Sequence, residues 1–325
     1  MTILVTGAAG FIGYHVCRAL LDRGESVVGV DVISDYYDVQ LKRARLSQLD
    51  SFSGFSFEHA DIADRESMES MVGRYKGLRR IVHLAAQAGV RYSLKNPFVY
   101  VKTNVQGHLV MLELCRHLDN VEHLVYASSS SVYGANSKIP FSTSDRVDSP
   151  ISLYAATKAA DELMSKCYSH LFDVPQTGLR FFTVYGPWGR PDMAIYIFTK
   201  AIINGQPIHL FNNGNMKRDF TYIDDVVRGV LAALDHPPNS IGSGNHQVYN
   251  LGNSRAETLV HLVSLLEQAI GKTADKVLEE MPAGDIQETF ADIEASRRDL
   301  GYDPTISLEV GIPLFVQWYR EYHGR

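Results

Sequence analysis

The first half of the chain alternates short apolar runs with longer stretches whose apolar residues recur every three to four positions. Runs at 3–6, 26–31, 55–59, 80–84, 123–128 and 177–182 predict strands. Stretches at 11–23, 65–72, 105–117 and 153–171 predict the helices between them. This is the rhythm of βαβ units and a parallel sheet. Several runs are apolar at every position, as in strands covered by helices on both faces. Gly24 follows the first helical stretch, where a left-handed C-cap belongs. Beyond Phe182 the rhythm loosens. Aromatic, Pro and Gly residues cluster over 185–191, helical patterns return at 194–203, 224–234 and 258–269, and a short strand is expected at 248–251. Residues 237–246, rich in Pro, Asn, Ser and Gly, read as a surface loop. The expected fold is α/β. A Rossmann-type doubly wound parallel sheet spans 1–182 with returning segments near 215–253, and a smaller, mixed C-terminal substrate-binding domain comprises 183–214 and 254–325.

With 325 residues, 45% apolar and 21% charged, the chain can bury a large core, and its composition excludes a disordered or collagen-like chain. No apolar run approaches the roughly 18 residues of a membrane span. A net charge of -6 gives no reason to expect nucleic acid, so a small molecule is the expected partner. The first residues enter a strand without a basic leader or cleavage pattern, and a cytoplasmic protein is expected. Cys17, Cys115 and Cys167 are far apart in helical patterns; they read as reduced core thiols, and no metal site is expected.

Between the first strand and first helix lies Thr6-Gly7-Ala8-Ala9-Gly10-Phe11-Ile12-Gly13. In a GxxGxxG turn the first glycine permits the bend, the second admits a pyrophosphate to the backbone, and the third lets helix meet strand. Free N–H groups at the helix start suit phosphate. Asp31 ends the next strand about 20 residues on, where an acid accepts from a ribose 2′-hydroxyl and repels a 2′-phosphate, favouring NAD over NADP. An ordinary strand–helix turn is the alternative. Asp61 and Ile62 follow the third strand and are placed beside an adenine or, equally, in an exposed loop. Leu84, Ala85 and Ala86 end the fourth strand at the carboxyl edge, where small side chains admit a cofactor; His83 reads as packing.

Tyr154-Ala155-Ala156-Thr157-Lys158 sets a phenol and an ammonium four residues apart on one helix face. A free phenol titrates near about 10, and lowering that by about three units takes roughly 4 kcal/mol of differential stabilisation from nearby positive charge. The run Ser128-Ser129-Ser130-Ser131 ends the fifth strand, where hydroxyls complete a proton relay with the phenol. Singly, these features read as a helix surface pair and a polar turn.

Together, the glycine turn, the serine run and the Tyr-x-x-x-Lys pair resemble the extended short-chain dehydrogenase/reductase superfamily, in its sugar-nucleotide epimerase and dehydratase branch. Nearly the whole chain takes part. The resemblance implies Tyr154 as acid/base, Lys158 as its pKa-lowering partner, Ser129 as assisting hydroxyl and Ser131 facing the sugar, with Asn104, Tyr154 and Lys158 added to the NAD-binding positions. It also implies a homodimer built on the helices at 105–117 and 153–171. Three stretches, at 34–38, 87–93 and 181–193, are most similar to the UDP-glucuronate 4-epimerases, which implies inversion at C4 through a transient 4-keto sugar. Dehydratases and UDP-xylose-forming decarboxylases usually carry an acid before Val132-Tyr133-Gly134, where this chain has serines. A UDP-glucose 4-epimerase, a UDP-glucuronate decarboxylase and a cofactor-binding regulator without turnover are the competing readings.

On the sugar side, Arg190 suits a uronate carboxylate because a guanidinium engages it bidentately. The resemblance places Thr183 beside it; the alternative is that Arg190 pairs with Asp192 at the surface. Arg218 resembles the family's diphosphate-binding arginine, while Asp224 is expected to cap the following helix. Phe211 and Phe198 are candidates to line the uracil, with core packing as the alternative. Asp285 is expected at the nucleotide, but Met281-Pro282-Ala283 stand where a second phosphate-binding arginine often lies, which leaves Arg218 the larger share.

Overall fold

The computed structural model describes residues 1–238, 245–281 and 286–324. Its first half runs β1 (Thr2–Thr6), α1 (Phe11–Asp22), β2 (Ser26–Asp31), α2 (Val39–Leu49), β3 (Phe55–His59), α3 (Arg65–Val72), β4 (Leu78–His83), α4 (Val90–Lys95), α5 (Pro97–Tyr100), a π-helical turn (Val101–Gln106), α6 (Gly107–His117), β5 (His123–Ser129), α7 (Leu153–Phe172) and β6 (Gln176–Phe181). There follow β7 (Thr183–Tyr185), α8 (Ala194–Ile203), β8 (Ile208–Leu210), β9 (Lys217–Arg218), β10 (Phe220–Tyr222), α9 (Ile223–Asp235), β11 (His246–Leu251), β12 (Glu257–Thr258), α10 (Leu259–Ile270), β13 (Lys276–Leu278), α11 (Glu294–Leu300) and α12 (Leu308–His323).

Among the described residues seven strands form one parallel sheet in the order β11-β6-β5-β4-β1-β2-β3. The doubly wound expectation holds. Chain order reverses between β1 and β4, and such a switch point opens a crevice at the carboxyl ends of the strands. Alternation within β1 explains the two-sided burial: Ile3 and Val5 enter one core with α1 and the C-terminal elements, and Leu4 enters the other with α3 and α6. Gly24, at φ +80°, closes α1 as expected, with the Glu25 N–H reaching the Leu20 carbonyl.

Some expectations need correction. The fourth strand begins at Leu78 and ends at His83, so Leu84 lies just past it. The stretch at 105–117 is the continuation of a helical path entered through α5 and the π turn. Asp224 caps nothing: Tyr222 holds the N-cap position, and Asp224 lies in the first turn of α9. Its neighbour Asp225 is fully buried and accepts from the Thr305 and Ile306 N–H groups, pinning the C-terminal segment to α9. Cys17 and Cys115 are core thiols, but Cys167 is exposed. Phe198, on α8, is buried in the core. Most of the loop expected at 237–246 lies outside the described residues. No helix among them is long and apolar enough to cross a membrane.

Candidate active site

At the switch point Gly7 adopts φ +75°, and a Cβ there would lie 2.9 Å from the Ala85 nitrogen. The turn after β1 and the segment after β4 therefore meet backbone to backbone, and the Thr6 hydroxyl seals the contact by accepting from the Ala85 N–H. A Cβ on Gly10 or Gly13 would strike the Gly7 carbonyl oxygen, at 2.9 and 2.0 Å. Gly13 thus lets α1 close onto the turn itself. Phe11 is buried at the start of α1, and Ile12 is half-buried beside it. Asp31 accepts from the Ala9 N–H through one oxygen and from the Ile33 N–H through the other, which fixes its carboxylate beside the turn. Asp61 pairs with Lys102 at 2.8 Å while Ile62 is buried. His83 is buried against the Thr6 hydroxyl, and burial lowers its imidazole to about 3.

The Asn104 side chain is 1% exposed and fully engaged: its oxygen accepts from the Gln87 N–H, and its nitrogen donates to the Gln87 carbonyl and the Thr157 hydroxyl. It ties the segment after β4 to α7, one turn from Tyr154. Ser152 caps α7 by accepting from the Ala155 N–H, so Tyr154 stands in the first turn. Lys158 is buried, and its ammonium donates to the Ala127 carbonyl at 3.1 Å and to Asp161 at 3.0 Å. The serine run splits by strand alternation. Ser128 donates to Glu162, itself held bidentately by Arg180, whereas Ser129 accepts from the Ser131 N–H at the edge of the cleft.

A succession of rings leads away from Tyr154. Its ring meets Tyr100 edge-on at 6.1 Å, Tyr100 lies 6.3 Å from Tyr92, and Tyr92 lies 4.8 Å from Tyr36. The Tyr36 hydroxyl then donates to Asp192 at 3.0 Å. Arg190 grips Asp192 through Nε and Nη2, so the pairing with Asp192 does form, but half-buried rather than at the surface. Nη1 takes no part in that pair. Arg190 and Thr183 line one cavity with Met193, Tyr196 and Phe315.

Farther out, the Arg218 guanidinium donates to the Lys217 and Gln287 carbonyls. Phe211 is half-buried beneath Arg91, whose guanidinium lies 4.3 Å from the ring centre. Asp285 and the preceding Pro282 and Ala283 lie outside the described residues.

Three residues here were missed in the sequence. Asp161 and Glu162 look like the polar face of an amphipathic helix. Arg45, in a basic stretch of α2, is fully buried and donates to the Ala9, Trp188 and Gly189 carbonyls and to the Tyr37 hydroxyl. It staples the glycine turn to the loop that carries Arg190. Nothing in a run of charges announces this.

The model of the NAD dependent epimerase/dehydratase family matches residues 3–252. The chain belongs to that family. It is 48% identical to UDP-glucuronate 4-epimerase 4 of Arabidopsis thaliana, over all of this chain and 76% of that protein. It is 47% identical, over the full length of both, to protein CapI of Staphylococcus aureus. The crystal structure of UDP-glucuronic acid 4-epimerase from Bacillus cereus with UDP-glucuronic acid and NAD is similar at TM-score 0.90 and 36% identity, covering 99% of this chain and all of that one.

Proposed function

We propose that the protein is an isomerase that inverts C4 of UDP-glucuronate to give UDP-galacturonate through a transient 4-keto sugar, with NAD as resident cofactor. The observation that carries this is the line of contacts from Tyr154 through Tyr100, Tyr92 and Tyr36 to the Asp192–Arg190 pair, which supports a proton-transfer role for Tyr154 and a carboxylate-holding role for Arg190. Similarity to epimerases acting on this sugar supports the choice of substrate.

The residues present suit NAD. A Cβ would fill the turn at Gly7, Gly10 and Gly13, and Asp31 keeps lone pairs for ribose hydroxyls after its two backbone bonds. Phe11 and Ile12 at the helix start, Leu84, Ala85 and Ala86 past β4, and Asp61 with Ile62 past β3 form the remaining walls. Asn104 serves this site by positioning, since its own groups are spent on Gln87 and Thr157. Bound there, NAD supplies reversible oxidation of the sugar at C4. Tyr154 takes the 4-hydroxyl proton and later returns it, Lys158 stabilises the phenolate between the two steps, and the hydroxyls of Ser129 and Ser131 hold O4 in line. Arg190 and Thr183 hold the uronate carboxylate, with Arg218, Phe211 and Asp285 assigned to the nucleotide.

We assign the NAD side to 1–182 with 215–253, and the nucleotide-sugar side to 183–214 and 254–325. Leu94, Phe98, Val101 and Leu109 of α6 are exposed on elements that pack against α7, as is Leu163 on α7 itself, and a second copy of the chain would cover them. A homodimer in the cytoplasm is the assembly proposed.

The deciding experiment incubates purified protein with UDP-glucuronate and separates uronate epimers from pentose. UDP-galacturonate is expected; a UDP-pentose alone, or turnover of UDP-glucose only, overturns the assignment.

A further inference from the structure

We infer that Asp161 is a positioning residue whose carboxylate keeps the Lys158 ammonium charged and aimed along α7 at the Tyr154 phenol. The inference rests on the role proposed for Tyr154 and Lys158, and adds a third member on the same helix face. Tyr154, Lys158 and Asp161 follow one another at i, i+4 and i+7, so Asp161 stands about 10 Å along the axis from Tyr154 and Lys158 about 6 Å.

Asp161 is 1% exposed and Lys158 3%, and their charges meet at 3.0 Å. Among the described residues Asp161 is the only acid paired with Lys158. Glu162, next in sequence, is committed to Arg180 and Ser128. Among the described residues no other element supplies a negative charge paired with Lys158. His108 of α6 is bonded to the Asp161 backbone, and burial holds its ring neutral; Tyr126 of β5 is held protonated by burial; His83 of β4 faces Lys158 as a neutral ring. A buried ammonium with no counter-charge loses its proton readily. The second Asp161 oxygen is buried without a hydrogen-bond partner, a cost expected of a carboxylate kept for its charge rather than for packing. Burial pushes the Asp161 carboxyl up to about 6 against the pull of Lys158, so Asp161 carries its charge above that pH.

The test is a titration of NAD-loaded protein, following tyrosinate absorbance and subtracting the Tyr154→Phe counterpart so that only Tyr154 is read. Asp161→Asn, nearly isosteric, is expected to raise the Tyr154 midpoint by about one pH unit or more and to move the acid limb of kcat upward equally. Asp161→Glu is expected to restore both. In a Lys158→Met background, Asp161→Asn is expected to leave the midpoint where it stands. Should Asp161→Asn not fold, Asp161→Ser gives the same readout. A midpoint that stays or falls in the charge-removing variant overturns the inference. The absorbance midpoint decides the inference and needs no nucleotide sugar, unlike the kcat limb, so its outcome is separate from that of the substrate assignment, which only the wild-type product assay can overturn.

Discussion

At the scale of single residues, the site depends on which polar groups are spent and which remain available. Tyr154→Phe removes the proton carrier without touching the turn at Gly7, and kcat is expected to fall at least about a hundredfold while NAD content after gel filtration is unchanged. Arg190 bears on product identity. A 4-keto-uronate is a β-keto acid, which loses carbon dioxide when the breaking bond aligns with the carbonyl π system. In the role proposed for Arg190, its guanidinium holds the carboxylate and so controls that angle. Arg190→Ala is therefore expected to raise the ratio of pentose to uronate epimer, measured by chromatography of the nucleotide sugars. An unchanged ratio at a lowered rate counts against the role. Residue types alone carried much of this: a phenol four residues before a lysine and an acid at the end of the second strand are legible. The Asp192 bond was legible only as an alternative, because sequence separation says nothing about which of two partners a guanidinium meets.

At the scale of elements, close approach governs. Gly13→Ala would drive α1 off the Gly7 carbonyl, since the added carbon would sit 2.0 Å from that oxygen. The expected outcome is loss of retained NAD with modest loss of helicity, read by cofactor content and circular dichroism. Asp219, fully buried, accepts from the Asn253, Ser254 and Ala291 N–H groups and the Thr221 hydroxyl, joining β10 to the segment after β11. Asp219→Ala strands those donors and is expected to cost about 3 kcal/mol or more, read by denaturant unfolding. Strand and helix positions in the first half were legible because both faces of the sheet are buried and the apolar runs are continuous. α2 was not, because buried Lys42 and Arg45 interrupt its apolar period. α12 carries Pro313 within its length, which reads as a break. The π turn is invisible to a period of 3.6, yet it sets Asn104 against Thr157.

For the whole molecule, the histidines decide the response to acid. Burial lowers His15, His123 and His246 to about 4 and His83 to about 3, and holds His108 well below its ordinary value. Unfolded imidazoles bind protons near about 6.5. Between that value and about 4 the unfolded chain therefore holds more protons, and stability falls as pH falls. Asp161 and Asp219, both pushed up to about 6 by burial, act in the opposite sense, because their folded forms keep protons that the unfolded chain releases. Burial raises the Asp224 carboxyl too, but five imidazoles outweigh three carboxyls, so the melting temperature is expected to drop steadily from about pH 6.5 to about pH 4 in a calorimetric series. A flat profile would mean that these rings are hydrated.

Arg45 has a mechanical consequence. One buried guanidinium bolts the glycine turn at Ala9 to the Trp188–Gly189 segment beside Arg190. That flank of the crevice cannot yawn to admit a bulky ligand without breaking several charged bonds at once.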